Sequence, residues 1–333
     1  MTLKKFSTSL VMAAATLVLM AGCGSTGTKE ATQETSKDTK TEVVTVSNYN
    51  YAKDKIDLTF EKVPERVVTV YQSPLEIMLA LGLEDKVVAA SQLDSDVKPE
   101  FEKAFEKIKY YDEAPSKEEV MGLKPDLIYS WYSYFGPEKL GEVTDWIDRG
   151  TNTYMMQNSG AVKPDTLQNE YDDILNIGKI FKVEPKAEAI VKEMKDEIKK
   201  AKKAVEGTKP VKAIIVEVSK DGMYRVYGKD TIGGDMASQL GAELVAADEQ
   251  SIGKEDLIKL NPDVIFSVYY GENIEREQAE KSIMDDTSLA SLAAIKNKRV
   301  EPVVLSEVYA TGIRTLDGIK TISQGLYPDL GNE

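Results

Sequence analysis

No histidine occurs anywhere in this chain, and only one cysteine. Without imidazole the sequence cannot run Ser-His-Asp or Cys-His catalysis, and it lacks the usual ligands of zinc, copper and haem. With Cys23 alone, the folded part has no disulfide, no thiolate zinc site and no cysteine nucleophile. Basic residues are outnumbered, 42 Lys and Arg against 56 Asp and Glu, for a net charge of −14. Non-specific attraction to nucleic acid or to an anionic lipid surface is therefore not expected. The N-terminal apolar run, Leu10 to Met20, falls short of the roughly 20 residues a membrane span needs.

That run follows Lys4 and Lys5 and ends at Leu19-Met20-Ala21-Gly22-Cys23. A positive start, a short apolar stretch and small residues before a cysteine resemble a bacterial lipoprotein signal. The resemblance implies cleavage after residue 22 and a lipid, palmitate included, on Cys23. It places the chain outside the cytoplasm, anchored to the cell membrane. Residues 23–42 are Ser, Thr, Lys, Glu and Gln with little that is apolar, a composition expected to be a flexible tether.

What the sequence does contain is a duplication. Lys117 to Tyr132 returns as Lys254 to Tyr269 without a gap, so that Glu118 and Glu255, like Tyr132 and Tyr269, lie 137 residues apart. Each copy reads as a short amphipathic helix, a Pro-Asp turn and a strand of β-branched and aromatic residues. A period this long is not a solenoid repeat. It predicts two lobes of similar design. Strands such as 66–70 and 86–91 alternate with helices such as 75–81, the pattern of parallel α/β sheets. Between the lobes, Leu167, Tyr171, Ile174, Ile177 and Ile180, then Ala189, Ile190, Met194, Ile198 and Ala201, recur at helical spacing around a break at Val183-Glu184-Pro185. This predicts one long, interrupted helix with a charged outer face. The expected divisions are 43–163, 164–207 and 208–333. Gly233-Gly234 opens a helix, where free backbone N–H groups can bind an anion or where a pair of glycines simply makes a turn.

Together Pro64 to Val68, Glu76 to Val88, both Pro-Asp repeats, the middle helix and Arg314-Thr315-Leu316-Asp317 resemble the substrate-binding proteins of ABC importers for ferric siderophores, haem and cobalamin. That resemblance spans roughly Pro64 to Pro328. It implies two Rossmann-like lobes joined by the long helix, a ligand cleft between them, and delivery to a permease dimer with its ATPase by a monomeric binding protein. It also implies that a glutamate on each lobe docks on permease arginines, here Glu118 and Glu255. The alternative role of these residues is to complement their helix dipoles.

In open α/β lobes the ligand lies at the carboxyl ends of the strands. The candidate ligand residues there are Tyr71, Gln72, Trp131, Tyr132, Tyr134, Met156 and Asn158 in the first lobe. Arg225, Tyr227, Tyr269, Tyr270, Tyr309 and Arg314 are those of the second. Aromatic rings suit a flat or amphipathic ligand, and the arginines an anionic group on it. Arg314 has an alternative partner in Asp317. With no imidazole, a small-molecule chelate that brings its own metal ligands is favoured, an iron–siderophore first, cobalamin second and haem third, with no resident cofactor or metal. An enzyme is the remote alternative, a hydrolase using paired carboxylates, as is a surface sensor of the same fold.

Overall fold

A computed structural model describes residues 43–219, 221–269 and 276–331. The signal segment, Cys23, the tether and Tyr270 fall outside these. Among the described residues no helix is long and apolar enough to cross a membrane.

The domain opens with an antiparallel hairpin, β1 (Val44–Tyr49) and β2 (Lys55–Phe60). Alternate residues of β1 face inward, as a strand period of two requires. The first lobe follows: β3 (Val67–Val70), α1 (Gln72–Ala80), β4 (Val87–Ser91), α2 (Glu102–Phe105), β5 (Tyr110–Tyr111), α3 (Lys117–Leu123), β6 (Leu127–Ser130), α4 (Val143–Ile147) and β7 (Asn152–Met155). Its five strands run parallel in the order β5-β4-β3-β6-β7. Every residue of β3 and β6 is buried, as expected of central strands covered on both faces.

Helices α5 (Leu167–Ile180) and α6 (Glu184–Ala204) lead to the second lobe. That lobe contains β8 (Lys212–Val218), β9 (Tyr224–Val226), α7 (Ile232–Gln239), β10 (Glu243–Leu244), β11 (Ser251–Ile252), α8 (Lys254–Leu260), β12 (Val264–Tyr269), α9 (Arg276–Met284), α10 (Ala293–Lys296), β13 (Val300–Val304) and α11 (Thr315–Leu326). Its sheet runs β11-β9-β8-β12-β13, with β10 also paired to β8. The parallel part, β10-β8-β12-β13, repeats the order β4-β3-β6-β7 of the first lobe. The antiparallel strands β9 and β11 are what the second lobe adds.

The duplicated segment has the same geometry twice. Both α3 and α8 are seven residues long, and each ends on a left-handed residue, Lys124 or Asn261. The aspartate of each Pro-Asp turn then clamps the start of the neighbouring strand. Asp126 accepts from the backbone N–H groups of Glu65 (2.9 Å) and Arg66 (2.8 Å). Asp263 accepts from that of Lys212 (3.0 Å). A carboxylate here satisfies donors that precede the sheet ladder, so the repeated aspartate serves the fold.

The interruption at residues 181–183 is a reversal of direction rather than a break in one long helix. Tyr171 and Lys195 would stand about 36 Å apart along a straight helix. Instead the Lys195 ammonium sits 4.9 Å from the centre of the Tyr171 ring. Lys182 takes a left-handed conformation (φ 56°) at the turn. Gly178 lets the two helices close, since a Cβ there would come within 2.4 Å of that of Ala187. Helix α6 buries Ala187, Val191, Met194, Ile198 and Ala201, whereas Ala189 is exposed and Ile190 half-buried. The hairpin selects that narrow stripe because α5 and α11 cover only one side of α6.

Both helices reach from one lobe to the other. Helix α5 starts against α7, where the Leu167 N–H donates to Asp235 (2.7 Å), and ends where Lys179 donates to the Thr45 carbonyl (3.2 Å). Helix α6 starts where Lys186 donates to the Leu81 carbonyl (2.8 Å) and ends where Lys202 reaches Gln239 (3.4 Å). One apolar core runs through both sheets and this hairpin, from Val67 and Tyr129 through Ile174 and Met194 to Phe266 and Val303.

Candidate functional site

Where the carboxyl ends of the two sheets face each other, residues from both lobes line one cleft. Gln72, Ser73, Asp94, Ser95 and Trp131 come from the first lobe, and Val304 to Ser306, Tyr309 to Thr311 and Arg314 from the second. The cleft encloses about 410 Å³ of empty space, part of it open to solvent.

Its aromatic wall is built in layers. Tyr71 stacks on Trp131 with ring centres 4.3 Å apart, and Tyr309 meets the Trp131 ring edge-on at 5.7 Å from across the cleft. The Trp131 indole N–H donates to Ser73 Oγ (2.8 Å), and Lys139 donates to the Tyr71 hydroxyl (3.1 Å). Tyr71 adopts φ 76° at the N-terminus of α1, a strained conformation for an aromatic residue. That turn presents Gln72 and Ser73 at the strand end. Burial, then Asp165, raises the Tyr309 phenol against the opposing Arg225, with Tyr71 and Asp94 adding to the upward push.

Arg314 is not held by Asp317. Its Nε and Nη2 donate to Glu76 Oε2 (2.7 Å) and Oε1 (2.6 Å), a bidentate pair between the lobes. Nη2 also reaches the Asp96 carbonyl (2.9 Å), and Nη1 reaches Ser306 Oγ (3.3 Å). Glu76 is fully buried and further accepts from Gln72 Nε2 (2.8 Å) and the Lys98 backbone N–H (3.2 Å). Asp317 instead pairs with Lys98 at 2.6 Å, a second link between the lobes. Beside them Gly312 (φ 54°) packs on Ser73 and Ile77 of α1, where a Cβ would come within 2.8 Å of that of Ser73.

Of the residues expected from sequence, Gln72, Trp131, Tyr309 and Arg314 line this cleft, with Tyr71 packed behind Trp131. Tyr269 is half-buried at the end of β12, and burial is the main influence raising its phenol. The others lie elsewhere. Tyr132 stacks on Tyr51 of the β1–β2 connection at 4.7 Å and donates to its carbonyl. Tyr134 is a core residue, 1 % exposed, whose hydroxyl donates to the Pro115 carbonyl. Met156 is buried, its sulfur accepting from Ser73 Oγ. Asn158 is buried among bonds to Thr166, Asn169 and Glu170. Tyr227 is buried with its hydroxyl donated to Glu217 (2.8 Å), and Arg225 lies over that ring, its guanidinium also on Glu217 (3.4 Å). A tyrosine at a strand end has two directions available, and the side-chain alternation does not survive the turn that follows.

Asp94, Ser95, Ser306 and Thr311 escaped the sequence reading. The first two follow β4 and Ser306 follows β13, so the strand-end rule covers them, but small polar side chains carry no signal of their own.

Glu118 and Glu255 are both exposed in the first turns of α3 and α8. In α3 the capping box is formed by Ser116 and Glu119, so Glu118 is not needed for it. Gly233 and Gly234 are explained by packing. A Cβ on Gly234 would lie 1.9 Å from the Gly228 carbonyl oxygen.

Residues 67–301 match the family described as periplasmic binding protein. The chain belongs to this family. Over 324 residues it is 30 % identical to an ABC transporter substrate-binding lipoprotein of Bacillus subtilis, YvrC, with 95 % of each chain covered. It is 26 % identical to the petrobactin-binding protein YclQ of the same organism, covering 97 % of this chain and 96 % of that one. A crystal structure of a periplasmic binding protein from Veillonella parvula superposes with a TM-score of 0.82 at 34 % identity, covering 87 % of this chain and 93 % of that one. Like its relatives, this periplasmic binding protein is a substrate-binding component of an ABC importer, not an enzyme.

Proposed function

We propose that this protein is a lipid-anchored, extracytoplasmic monomer that captures an iron–siderophore complex in the cleft and delivers it to a permease dimer through Glu118 and Glu255. The observation that carries the proposal is the cleft. Two lobes, braced by a helical hairpin, face each other across Trp131 and Tyr309, with hydroxyls and amides around them. Such a surface offers rigid apolar area and hydrogen bonds but no imidazole or thiolate. It suits a chelate that arrives with its metal already ligated. The petrobactin-binding relative supports the siderophore class. Cobalamin is the second reading. The cation in the cleft wall, Arg314, is already paired with Glu76, which disfavours the two carboxylates of haem.

Trp131 makes this measurable. It stands in the cleft, whereas Trp146 is buried in the first lobe. Titrating a Trp146→Phe variant with ferric siderophores, cobalamin and haem should give saturable quenching with at least one of them. Silence with every member of the panel would overturn the proposal. For docking, Glu118→Lys with Glu255→Lys should abolish uptake in cells and leave ligand affinity unchanged. Exposed charge pairs set orientation and encounter rate more than affinity, so normal uptake by that double variant would remove the docking role.

A further inference from the structure

The charges around the cleft do not cancel. Among its described lining residues Arg314 is the only cation and Asp94 the only carboxylate. Arg314, however, is neutralised from behind by Glu76, which is fully buried and bidentate to it. That leaves Asp94 on the rim without an ion-pair partner among the described residues. The neighbouring cations lie outside the lining, with Arg276 acting on Glu307 and Tyr269 and most of the others paired. Lys98 is taken by Asp317 and Glu100, Lys163 by Asp165, and Arg225 by Glu217. Lys139 bonds to the Tyr71 hydroxyl and lies outside the lining. Glu307, next to the lining residue Ser306, adds a further carboxyl, raised by burial.

We propose that the cleft discriminates by charge, admitting a metal chelate that is neutral or cationic overall and rejecting polyanionic ones. This rests on the metal-chelate reading given above. Among ferric complexes the distinction is one of donor chemistry. Three hydroxamates each lose one proton and leave a neutral complex, which an ammonium tail makes cationic. Three catecholates each lose two and leave a triple anion. A cleft meant for a triple anion would need a free guanidinium or ammonium, and the arginine present is bound to a carboxylate that has no other counter-ion among the described ion pairs.

The test uses the mature protein and Trp131 fluorescence. Ferric complexes of a neutral tris-hydroxamate, a tris-hydroxamate with an ammonium tail, and a tris-catecholate are titrated in parallel, with cobalamin as a further neutral chelate. The neutral or cationic complexes should bind at least about tenfold more tightly than the anionic one. Asp94→Lys should then raise the anionic-to-neutral affinity ratio about tenfold, since two unit charges change within roughly a screening length of the ligand. Equal or tighter binding of the tris-catecholate, or an unmoved ratio in the variant, would overturn the charge rule while leaving the chelate reading intact. If no chelate binds, that reading fails, and the rule is decided by small aromatic ions. Phenyltrimethylammonium should then quench Trp131 more strongly than benzenesulfonate, and the reverse order would refute it.

Discussion

The Glu76–Arg314 pair ties the two lobes at the back of the cleft, and its energetic weight follows from its burial. Glu76 is fully buried, and the Arg314 side chain is 13 % exposed. Replacing Glu76 by leucine leaves a guanidinium with only the Asp96 carbonyl and Ser306 as partners. An uncompensated buried charge of this kind costs about 3–5 kcal/mol. Replacing Arg314 by methionine leaves the carboxylate with Gln72 and the Lys98 N–H, and a similar cost of about 3–5 kcal/mol is expected. Removing both partners together abandons no charge, and two apolar side chains of similar volume fill the space. The double variant should therefore lose about 2 kcal/mol or less. The four proteins form a double-mutant cycle, read by urea unfolding of the ligand-free mature protein. A coupling of about 3 kcal/mol or more is expected. Single costs that add to within about 0.5 kcal/mol would show that the pair is not a coupled latch.

Three further outcomes follow from other parts of the molecule. Burial pushes Glu170 up to about 8 and Asp173 to about 7, and Asp165 is pushed up to about 6. The native state thus holds protons that the unfolded chain releases above about pH 4.3, so the stability these groups contribute is full below about pH 4, falls as pH rises and levels off above about pH 8. Urea midpoints at pH 5 and 8.5 should differ by at least about 3 kcal/mol in that direction, and a rise in stability would contradict it. Gly234→Ala drives a methyl group to 1.9 Å from the Gly228 carbonyl and should cost about 3 kcal/mol or leave the protein insoluble. Gly122→Ala, on the exposed side of α3 with nothing within 4 Å, should instead add about 0.5–1 kcal/mol in the same unfolding assay.

The duplicated segment was legible because its signals are local. Helix period, strand period and a Pro-Asp turn all lie within sixteen residues, and the structure forms them twice with the same left-handed C-cap. The helix at 75–81 and the strand at 86–91 were legible for the same reason. The reversal between α5 and α6 was not. A three-residue break looks alike whether a helix bends or turns back, and the deciding contacts, Gly178 on Ala187 and Lys195 on Tyr171, lie between helices. The candidate site divided along the same line. Trp131 and Tyr309 follow strands and reach the cleft, but so do Tyr134 and Tyr227 in sequence, and they are core.

By itself the sequence determined that the protein has two lobes of related design and that its ligand cannot be held through imidazole or thiolate. Those conclusions need only composition and short-range pattern. The tertiary structure alone decided that Arg314 is held bidentately by Glu76, 238 residues away. A charge is a property of one residue, but whether it is available depends on what the fold brings beside it. In a sequence with 42 basic and 56 acidic side chains, that pairing is not encoded in any local signal.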